Sequence, residues 1–375
     1  MHPFTYTHDP ARGRDFTQRL AGARTTPAAA DPQGRMGIPM ADLERLCQRL
    51  STFDWDGFAR RLNEHPAFIH EYGGARLHFV HARSTDPAAR ALLLLHGWPG
   101  SFLEFRELIA PLTRGTPPFH VVCPSLPGYG FSTRSLEHPC DAAAIADILA
   151  DLMSALGYER FLVQGGDWGS LIACELGRRH AARCLGLHLN MAPFLPPPPD
   201  DPVRQQVTAA EAAWLSEGAR LWQDGMGYYA QQGTRPQTLA VALADSPRGL
   251  LAWLAEKHLA WSDRDQHGAS LVSDAAIADH VALYWMTDSI GSSMRLYYDE
   301  RHARRTPARI EVPTGVAVFP RELIKCPRAW VAERCRLVHW TVQSRGGHFA
   351  ALEVPQLLLA DLRTFAAVLG PGAGS

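Results

Sequence analysis

The feature that most constrains the fold is a regular alternation of short apolar runs with amphipathic helical patterns. The apolar runs lie at residues 77–81, 91–95, 120–123, 161–164 and 185–189. Helical patterns separate the later runs, among them residues 141–156 and 170–180. This alternation is typical of strand–helix–strand units, in which helices cover both faces of a parallel sheet. The sequence therefore predicts an α/β fold with a mostly parallel sheet.

The same pattern divides the chain into segments. Residues 1–75 are polar and favour helices, with leucines spaced by three and four at residues 40–50. Four prolines at 196–199 end the alternation, and the residues from about 205 to 305 are helical and aromatic-rich. Sheet character resumes at residues 314–319 and 337–342, before a last helix at 356–369. We predict an N-terminal segment (1–75), a core in two parts (76–195 and 311–370), a helical insertion (196–310) and a disordered tail (371–375).

Composition excludes several classes of function. A net charge of −1 offers no basic surface for nucleic acid. No apolar run reaches about 18 residues and the first residues carry no signal-peptide pattern, so we expect no membrane anchor. The seven cysteines show no CxxC spacing, which favours reduced thiols and a cytoplasmic location. Without metal-ligand spacings or phosphate-binding loops, we expect no metal and no cofactor. The sequence leaves open whether the protein forms a homo-oligomer.

The motif GGDWGS at residues 165–170 lies where an apolar strand ends and a helix begins. This context is typical of a nucleophile elbow, whose tight turn admits only small residues two positions before and after the nucleophile. Asp167 occupies the nucleophile position, between Gly165 and Gly169. A carboxylate there attacks an sp³ carbon and forms an alkyl-enzyme ester, which water later hydrolyses. The alternative is a glycine-rich helix start that Asp167 merely caps.

A second motif, LLLLHGWPGS at residues 92–101, is a strand followed by a turn. In hydrolases with such a sheet, the loop after this strand supplies one backbone N–H of the oxyanion hole, and the residue after the nucleophile supplies the other. The backbone amides of Trp98 and Trp168 would be these donors. The alternative is a turn whose tryptophan and proline only pack under the sheet.

The third motif, RGGHF at residues 345–349, lies between the last predicted strand and the final helix. It places His348 after Asp167, as the nucleophile–acid–histidine order of α/β-hydrolases requires. The acid should follow the preceding strand, and Glu322 is the only acidic residue within residues 316–328. Taken alone, Glu322 would be interpreted as a solvated surface residue, so its assignment as the acid depends on the assignments of Asp167 and His348.

Together these segments resemble the microsomal-type epoxide hydrolases of the α/β-hydrolase superfamily, over nearly the whole chain. The matching segments are QRLAGAR (18–24), FDWD (53–56), LNEHP (62–66), LHFVHARS (77–84), HGWPGS (96–101), PSLPGYGFS (124–132), the Asp167 elbow and GGHFAA (346–351). The resemblance implies an α/β-hydrolase fold, with residues 1–75 as an N-terminal meander and residues 196–310 as a helical cap. Because its sequence shows no anchor-helix pattern, we expect the chain to depart from the membrane-bound members, and the loop at 25–34 resembles no family segment that we can assign.

The resemblance also implies two cap tyrosines that hold the epoxide oxygen. SSMRLY at 292–297 is similar to the segment carrying one of them, which assigns Tyr297, with Tyr298 as the competitor. GYYAQQ at 227–232 is similar to the other segment, which assigns Tyr228, with Tyr229 as the competitor. Ring opening leaves an alkoxide, and a phenol with a pKa of about 10 can donate a proton or a short hydrogen bond to it.

These features predict a cofactor-independent epoxide hydrolase that converts a small-molecule epoxide and water into a vicinal diol. One alternative is a haloalkane dehalogenase, which shares an aspartate nucleophile often followed by tryptophan. The paired cap tyrosines and the meander favour an epoxide. Another alternative is a non-catalytic binding protein on a hydrolase scaffold, against which the intact nucleophile, acid, base and oxyanion loop argue.

Overall fold

The structure is a computed structural model that describes residues 1–27, 30–31, 33–135, 138–304 and 308–370. The predicted disordered tail at 371–375 and part of the loop at 25–34 lie outside the described residues. The strands of the described ranges are β1 His2–Phe4, β2 Ala67–Tyr72, β3 Ala75–Ala82, β4 Arg90–Leu95, β5 Phe119–Pro124, β6 Phe161–Gly165, β7 Cys184–Leu189, β8 Ile310–Val318 and β9 Cys335–Val342.

The α-helices of the same ranges lie between and around these strands. They are α1 Pro10–Ala21, α2 Met40–Ser51, α3 Trp55–Leu62, α4 Arg106–Arg114, α5 Ala142–Ala155, α6 Trp168–Arg179, α7 Ala209–Asp224, α8 Gly227–Thr234, α9 Pro236–Asp245, α10 Pro247–Trp261, α11 Asp274–Met286, α12 Ser289–His302, α13 Arg328–Arg334, α14 Ala350–Glu353 and α15 Pro355–Val368. Short 3₁₀ turns cover Phe102–Phe105 and Pro202–Gln206.

All the strands belong to one sheet, in the order β1-β2-β3-β5-β4-β6-β7-β8-β9. The pairs β1–β2, β2–β3 and β3–β5 are antiparallel, and every pair from β5 onward is parallel. The predicted α/β fold with a mostly parallel sheet is therefore confirmed. Because β4, β6, β8 and β9 run in the same direction, the loops after them meet at one edge of the sheet.

The central strands are apolar throughout because both of their faces are covered. In β4, Leu93 and Leu95 pack in the same cluster as buried side chains of α5 and α6. The alternate residues Leu92 and Leu94 pack on the opposite face, with side chains of α4 and α15. Each such leucine contributes about 1.5–3 kcal/mol by its burial. This two-sided core holds the edge from which the functional loops emerge.

The N-terminal segment, which was predicted to favour helices, also contains strands. Its helices α1–α3 are present, and the leucines of α2 are buried as their spacing predicts. However, β1 and β2 extend the sheet, and β2 pairs with β3 across Gly73 and Gly74, both of which have positive φ. The apolar alternation of β2 is weak because it contains His70 and Glu71. The Gly-Gly dipeptide is the signal that could have predicted this hairpin.

Helices α7–α12 lie between β7 and β8, where the sequence pattern is helical. Helix α12 packs against α8 and α9, while α10 packs against α11 and the N-terminal helix α2. Strand β8 begins at Ile310, four residues before its predicted start, because Glu311 and Pro313 obscure the apolar run. Among the described residues there is no helix with the length and hydropathy needed to span a lipid bilayer.

Candidate active site

The strand–turn–helix predicted around Asp167 is present, between the end of β6 and the start of α6. Asp167 has φ of 49° and ψ of −128°, a backbone conformation that residues with a side chain rarely adopt. A Cβ on Gly165 would lie 2.3 Å from the carbonyl oxygen of Gly169, and one on Gly169 would lie 2.1 Å from that of Leu95. Glycine at these positions therefore permits the tight turn that presents Asp167.

The carboxylate of Asp167 lies against the loop that follows β4. The backbone N–H of Trp98 donates a hydrogen bond of 2.7 Å to Oδ1 of Asp167. Glycine at position 97 makes this approach possible, because a Cβ there would lie 2.0 Å from the same oxygen. One predicted oxyanion donor is thus in contact with the predicted nucleophile, Asp167. Trp168 begins α6 directly after Asp167, and the role of its amide stays a prediction.

The histidine and the acid come from the loops after β9 and β8. Nε2 of His348 lies 3.4 Å from Oδ2 of Asp167, and Nδ1 lies 2.7 Å from Oε1 of Glu322. The Leu323 N–H also donates to this Glu322 oxygen, at 2.6 Å. Both His348 and Glu322 are buried. The structure therefore brings together the three residues that sequence analysis proposed as nucleophile, base and acid.

The charges around His348 decide its protonation. Burial alone would lower the pKa of His348, but the carboxylates of Glu322 and Asp167 outweigh burial and raise it well above 6.5. The imidazole is therefore cationic between two carboxylates when Asp167 is ionised. Esterification of Asp167 would remove one of these charges and lower the pKa of His348 again.

Two aromatic side chains of the helical segment cover the oxyanion loop. Tyr228 of α8 stacks on Trp98 with ring centroids 5.5 Å apart, and Tyr297 of α12 lies edge-on to Trp98 at 5.9 Å. Tyr297 also lies 4.7 Å from the ring of Trp168, and the two tyrosine rings are 5.9 Å apart. Burial raises the pKa of both phenols well above 10, so both are neutral hydrogen-bond donors at pH 7.

The competing tyrosines lie in different surroundings. Tyr298 is 40% exposed, and its ring contacts His302 at 4.2 Å. Tyr229 is half-buried and contacts the rings of Trp222 and Tyr297, at 6.0 and 5.3 Å. Burial thus favours Tyr297 over Tyr298 clearly, and Tyr228 over Tyr229 by a smaller margin.

No metal site accompanies these residues. The part of the chain that the structure describes contains no group of three or more His, Cys, Asp or Glu side chains arranged to hold a metal ion.

Comparison with known proteins identifies the family. The family described as "Epoxide hydrolase N terminus" matches residues 1–105, and the one described as "alpha/beta hydrolase fold" matches residues 90–240. Epoxide hydrolase 1 of Sus scrofa is 32% identical, across 98% of this chain and 89% of that protein. The chain belongs to the epoxide hydrolase family.

Solved structures of epoxide hydrolases share the fold over almost the whole chain. The Aspergillus niger epoxide hydrolase superposes with a TM-score of 0.89 at 33% identity, covering 98% of this chain and 96% of that one. The juvenile hormone epoxide hydrolase of the silkworm Bombyx mori gives 0.90 at 30% identity, covering 98% and 94%. The predicted α/β-hydrolase fold and the predicted activity, hydrolysis of an epoxide, are confirmed.

Sequence analysis missed how this epoxide hydrolase holds its histidine loop. The backbone N–H of His348 donates to the carbonyl oxygen of Trp261, at the end of α10, over 3.0 Å. The ring of Trp261 lies 5.2 Å from His348 and 5.1 Å from Tyr228. Trp261 therefore links His348 to Tyr228. This role is visible only in the tertiary structure, where the end of α10 packs beside the loop of His348.

A second missed contact is a carboxylate that accepts two backbone hydrogen bonds. Glu353 accepts from the N–H of Phe349 at 2.9 Å and from the N–H of Asp263 at 2.7 Å. Burial raises the pKa of Glu353 to about 7, although these hydrogen bonds oppose it. Glu353 thus ties the segment after α10 to the residue that follows His348.

The third missed residue is Glu104, in the 3₁₀ turn that follows the oxyanion loop. Its side chain lines a cavity of about 10 Å³ together with Asp167 and His348. Such a cavity holds about one water molecule. Desolvation raises the pKa of Glu104 to about 8, with His348 opposing the shift and Asp167 adding to it. The single acidic residue in the apolar run FLEF at 102–105 was the available signal.

Proposed function

We propose that this epoxide hydrolase works in two steps, through a hydroxyalkyl ester on Asp167. The observation that carries the proposal is that the two carboxylate oxygens of Asp167 have different partners. Oδ1 accepts a hydrogen bond from the Trp98 N–H, while Oδ2 faces His348. An oxygen held in the oxyanion hole before reaction becomes the ester carbonyl oxygen afterwards. The donor that will stabilise the second transition state is therefore already in contact.

In the first step, Oδ2 of Asp167 attacks a ring carbon, and the carbon–oxygen bond of the epoxide breaks. The bonding pair stays on the ring oxygen, to which Tyr228 and Tyr297 donate. One proton is then needed at that oxygen. Tyr228 can give it and regain a proton from His348, whose pKa falls when the negative charge of Asp167 disappears. The step leaves a neutral ester, a hydroxyl group and a neutral imidazole.

In the second step, neutral His348 takes a proton from water while the water oxygen attacks the ester carbonyl. Glu322 stabilises the imidazolium that forms, as the acid of a hydrolase triad does. The amides of Trp98 and Trp168 stabilise the tetrahedral oxyanion. When the ester bond breaks, the diol leaves with the second proton of the water, and Asp167 returns as a carboxylate. The one-water cavity between Asp167, His348 and Glu104 supports this water position.

We also propose a class of substrate and a cellular location for the enzyme. The site is walled by aromatic rings, which supports a small epoxide with an apolar substituent. All seven cysteines are free and buried, which supports a cytoplasmic location. We further propose residues 1–75 and 196–310 as meander and cap around the two-part core.

A single turnover in H₂¹⁸O tests the ester directly. With the enzyme in excess over styrene oxide, the diol should contain no ¹⁸O, because its new oxygen comes from Asp167. The peptide that contains Asp167 should instead gain one ¹⁸O. Labelled diol and an unlabelled peptide would show that water attacks the epoxide directly.

Two controls accompany this experiment. Enzyme kept in H₂¹⁸O without the epoxide should stay unlabelled, and Asp167→Ala should form no diol while keeping its melting temperature. Incubation with 1-chlorobutane tests the dehalogenase alternative, and chloride release faster than diol formation would favour that alternative.

A further inference from the structure

A buried ammonium lies among the aromatic rings of the active site. Nζ of Lys257, on α10, lies over the ring of Tyr228 at 4.8 Å from its centroid, and at 5.8 Å from those of Trp253 and Trp261. The Lys257 side chain is only 8% exposed, and Glu256 forms an ion pair with it. A buried charge is unfavourable unless it is compensated, and the ring faces and Glu256 supply that compensation.

The residue type at this position is unusual for the chain. Of its 37 basic Lys and Arg residues, only Lys257 and Lys325 are lysines. Lysine presents a compact point charge, whereas the guanidinium of arginine is planar and forks outward. A cage of three rings therefore suits lysine where the rest of the chain uses arginine.

We propose that Lys257 is a positioning residue that acts through Tyr228, stabilising the negative charge that develops on the phenol as it gives its proton to the opening epoxide. The inference rests on the proposed role of Tyr228. A cation over an aromatic face interacts more favourably with the ring as the ring becomes more negative. This gain occurs only during proton donation, so it lowers the barrier rather than tightening substrate binding.

The surroundings of Tyr228 show why such a charge is needed. Burial raises the pKa of Tyr228, and the charges of Asp167 and Glu256 act in the same direction, while the Tyr297 hydroxyl opposes them. Proton donation to the epoxide oxygen is therefore opposed by the site itself. The ammonium of Lys257 lies over the ring of Tyr228, where its positive charge favours loss of the phenol proton and so offsets these effects.

Removal of the charge is the first test. Lys257→Met should slow alkylation of Asp167 about tenfold, measured by stopped-flow fluorescence with styrene oxide. Hydrolysis of the ester should change less than twofold, because Tyr228 supports the ring oxygen only in the first step. Lys257→Arg, which keeps the charge but not its compact shape, should recover part of the alkylation rate. Equal slowing of both steps would indicate general damage to the cap and overturn the proposal.

A double-mutant cycle separates electrostatic action from packing. In a Tyr228→Phe background, Lys257→Met should slow alkylation less than twofold, because no phenol remains for the ammonium to act on. The other buried lysine provides the matched control: Lys325, paired with Glu217 at 2.7 Å, should show no coupling to Tyr228 when changed to methionine. An undiminished tenfold effect of Lys257→Met in the Phe background would overturn the proposal.

A second variant tests the sign of the effect and serves if Lys257→Met fails to fold. Glu256→Gln removes the counter-ion and leaves the ammonium, so alkylation should run at the unsubstituted rate or a few-fold faster. If the ion pair only supported the cap, Glu256→Gln would slow alkylation as Lys257→Met does, and the proposal would be wrong. If Tyr228→Phe itself leaves alkylation unchanged, the proposed role of Tyr228 fails first, which is a separate result.

Discussion

The Tyr297→Phe variant probes the oxygen-holding phenols with little structural disturbance. The ring of Tyr297 lies 4.7 Å from Trp168 and 5.9 Å from both Trp98 and Tyr228, and phenylalanine keeps these contacts. The hydroxyl lies near the Tyr228 phenol and the Trp168 indole but makes no hydrogen bond of ordinary geometry among the described residues, so its removal should cost little stability. We therefore expect an unchanged melting temperature alongside a changed reaction rate.

The magnitude follows from the bond that forms in the transition state. Negative charge develops on the ring oxygen, and a hydrogen bond to a charged group contributes about 1.5–3 kcal/mol. Since each 1.36 kcal/mol corresponds to about tenfold in rate, Tyr297→Phe should slow alkylation of Asp167 by about one to two decades. Tyr228 still supports the oxygen in this variant, so the double Phe variant should be far slower than either single one.

Stopped-flow tryptophan fluorescence with excess styrene oxide measures the alkylation rate, because Trp98 and Trp168 lie beside the nucleophile. Tyr298→Phe is the matched control, since this exposed ring contacts His302, and its rate should equal that of the unsubstituted enzyme. If Tyr297→Phe is unaffected while Tyr298→Phe is slow, the assignment is wrong by one residue. If both keep the full rate, no phenol of α12 supports the oxygen.

Three further predictions concern the carboxylates. Asp167→Asn should lower the pKa of His348, because the imidazolium loses one of the two carboxylates that stabilise it; NMR titration of the imidazole would show an unchanged pKa if this is wrong. Gly97→Ala should slow both half-reactions at least tenfold, because its Cβ would lie 2.0 Å from Oδ1 of Asp167; full activity would refute the tight approach. Burial opposes ionisation of Asp361, but hydrogen bonds, the largest from His188, lower its pKa from 3.8 to about 2. Ionised Asp361 should therefore stabilise the folded protein fully above pH 3.8, and this stabilisation should be lost as the pH falls through 2. Asp361→Asn should reduce the free energy of unfolding by roughly 2–3 kcal/mol at pH 7 in urea titrations. Equal stability of both proteins would contradict this.

The elements that could be predicted from the sequence are those whose physical cause lies in neighbouring residues. The run at residues 91–95 predicts a strand because β4 is buried on both faces and every residue must be apolar. The glycines around Asp167 predict the elbow because a side chain two positions before or after it would meet backbone atoms of the turn or of β4. The order of the three motifs then predicts which loops converge, since parallel strands end at one edge.

The remaining features depend on tertiary contacts that no local pattern reports. Strand β1 has only three residues, and it exists because β2 offers an edge to pair with. Trp261 and Lys257 lie in a helical segment whose many aromatic residues look alike in the sequence. They become distinguishable only when α10 packs beside the loop of His348. Glu353 likewise has an ordinary sequence context and a specific role in space.

A trapped covalent intermediate would demonstrate the ester on Asp167. Alkylation needs no base because the attacking group is a carboxylate, whereas hydrolysis of the ester needs the imidazole to take a proton from water. His348→Gln should therefore accumulate a covalent adduct, with the mass of the enzyme plus one epoxide, on the peptide containing Asp167. Glu322→Gln should show a smaller accumulation, and His267→Gln, at an exposed histidine, should show none.

The measurement is intact-protein mass spectrometry, followed by peptide mapping, after His348→Gln is mixed with an epoxide that the unsubstituted enzyme hydrolyses. We expect one added epoxide per chain, located on Asp167. An inactive His348→Gln enzyme with no adduct at any time would contradict it, because His348 would then act before any bond to Asp167 forms.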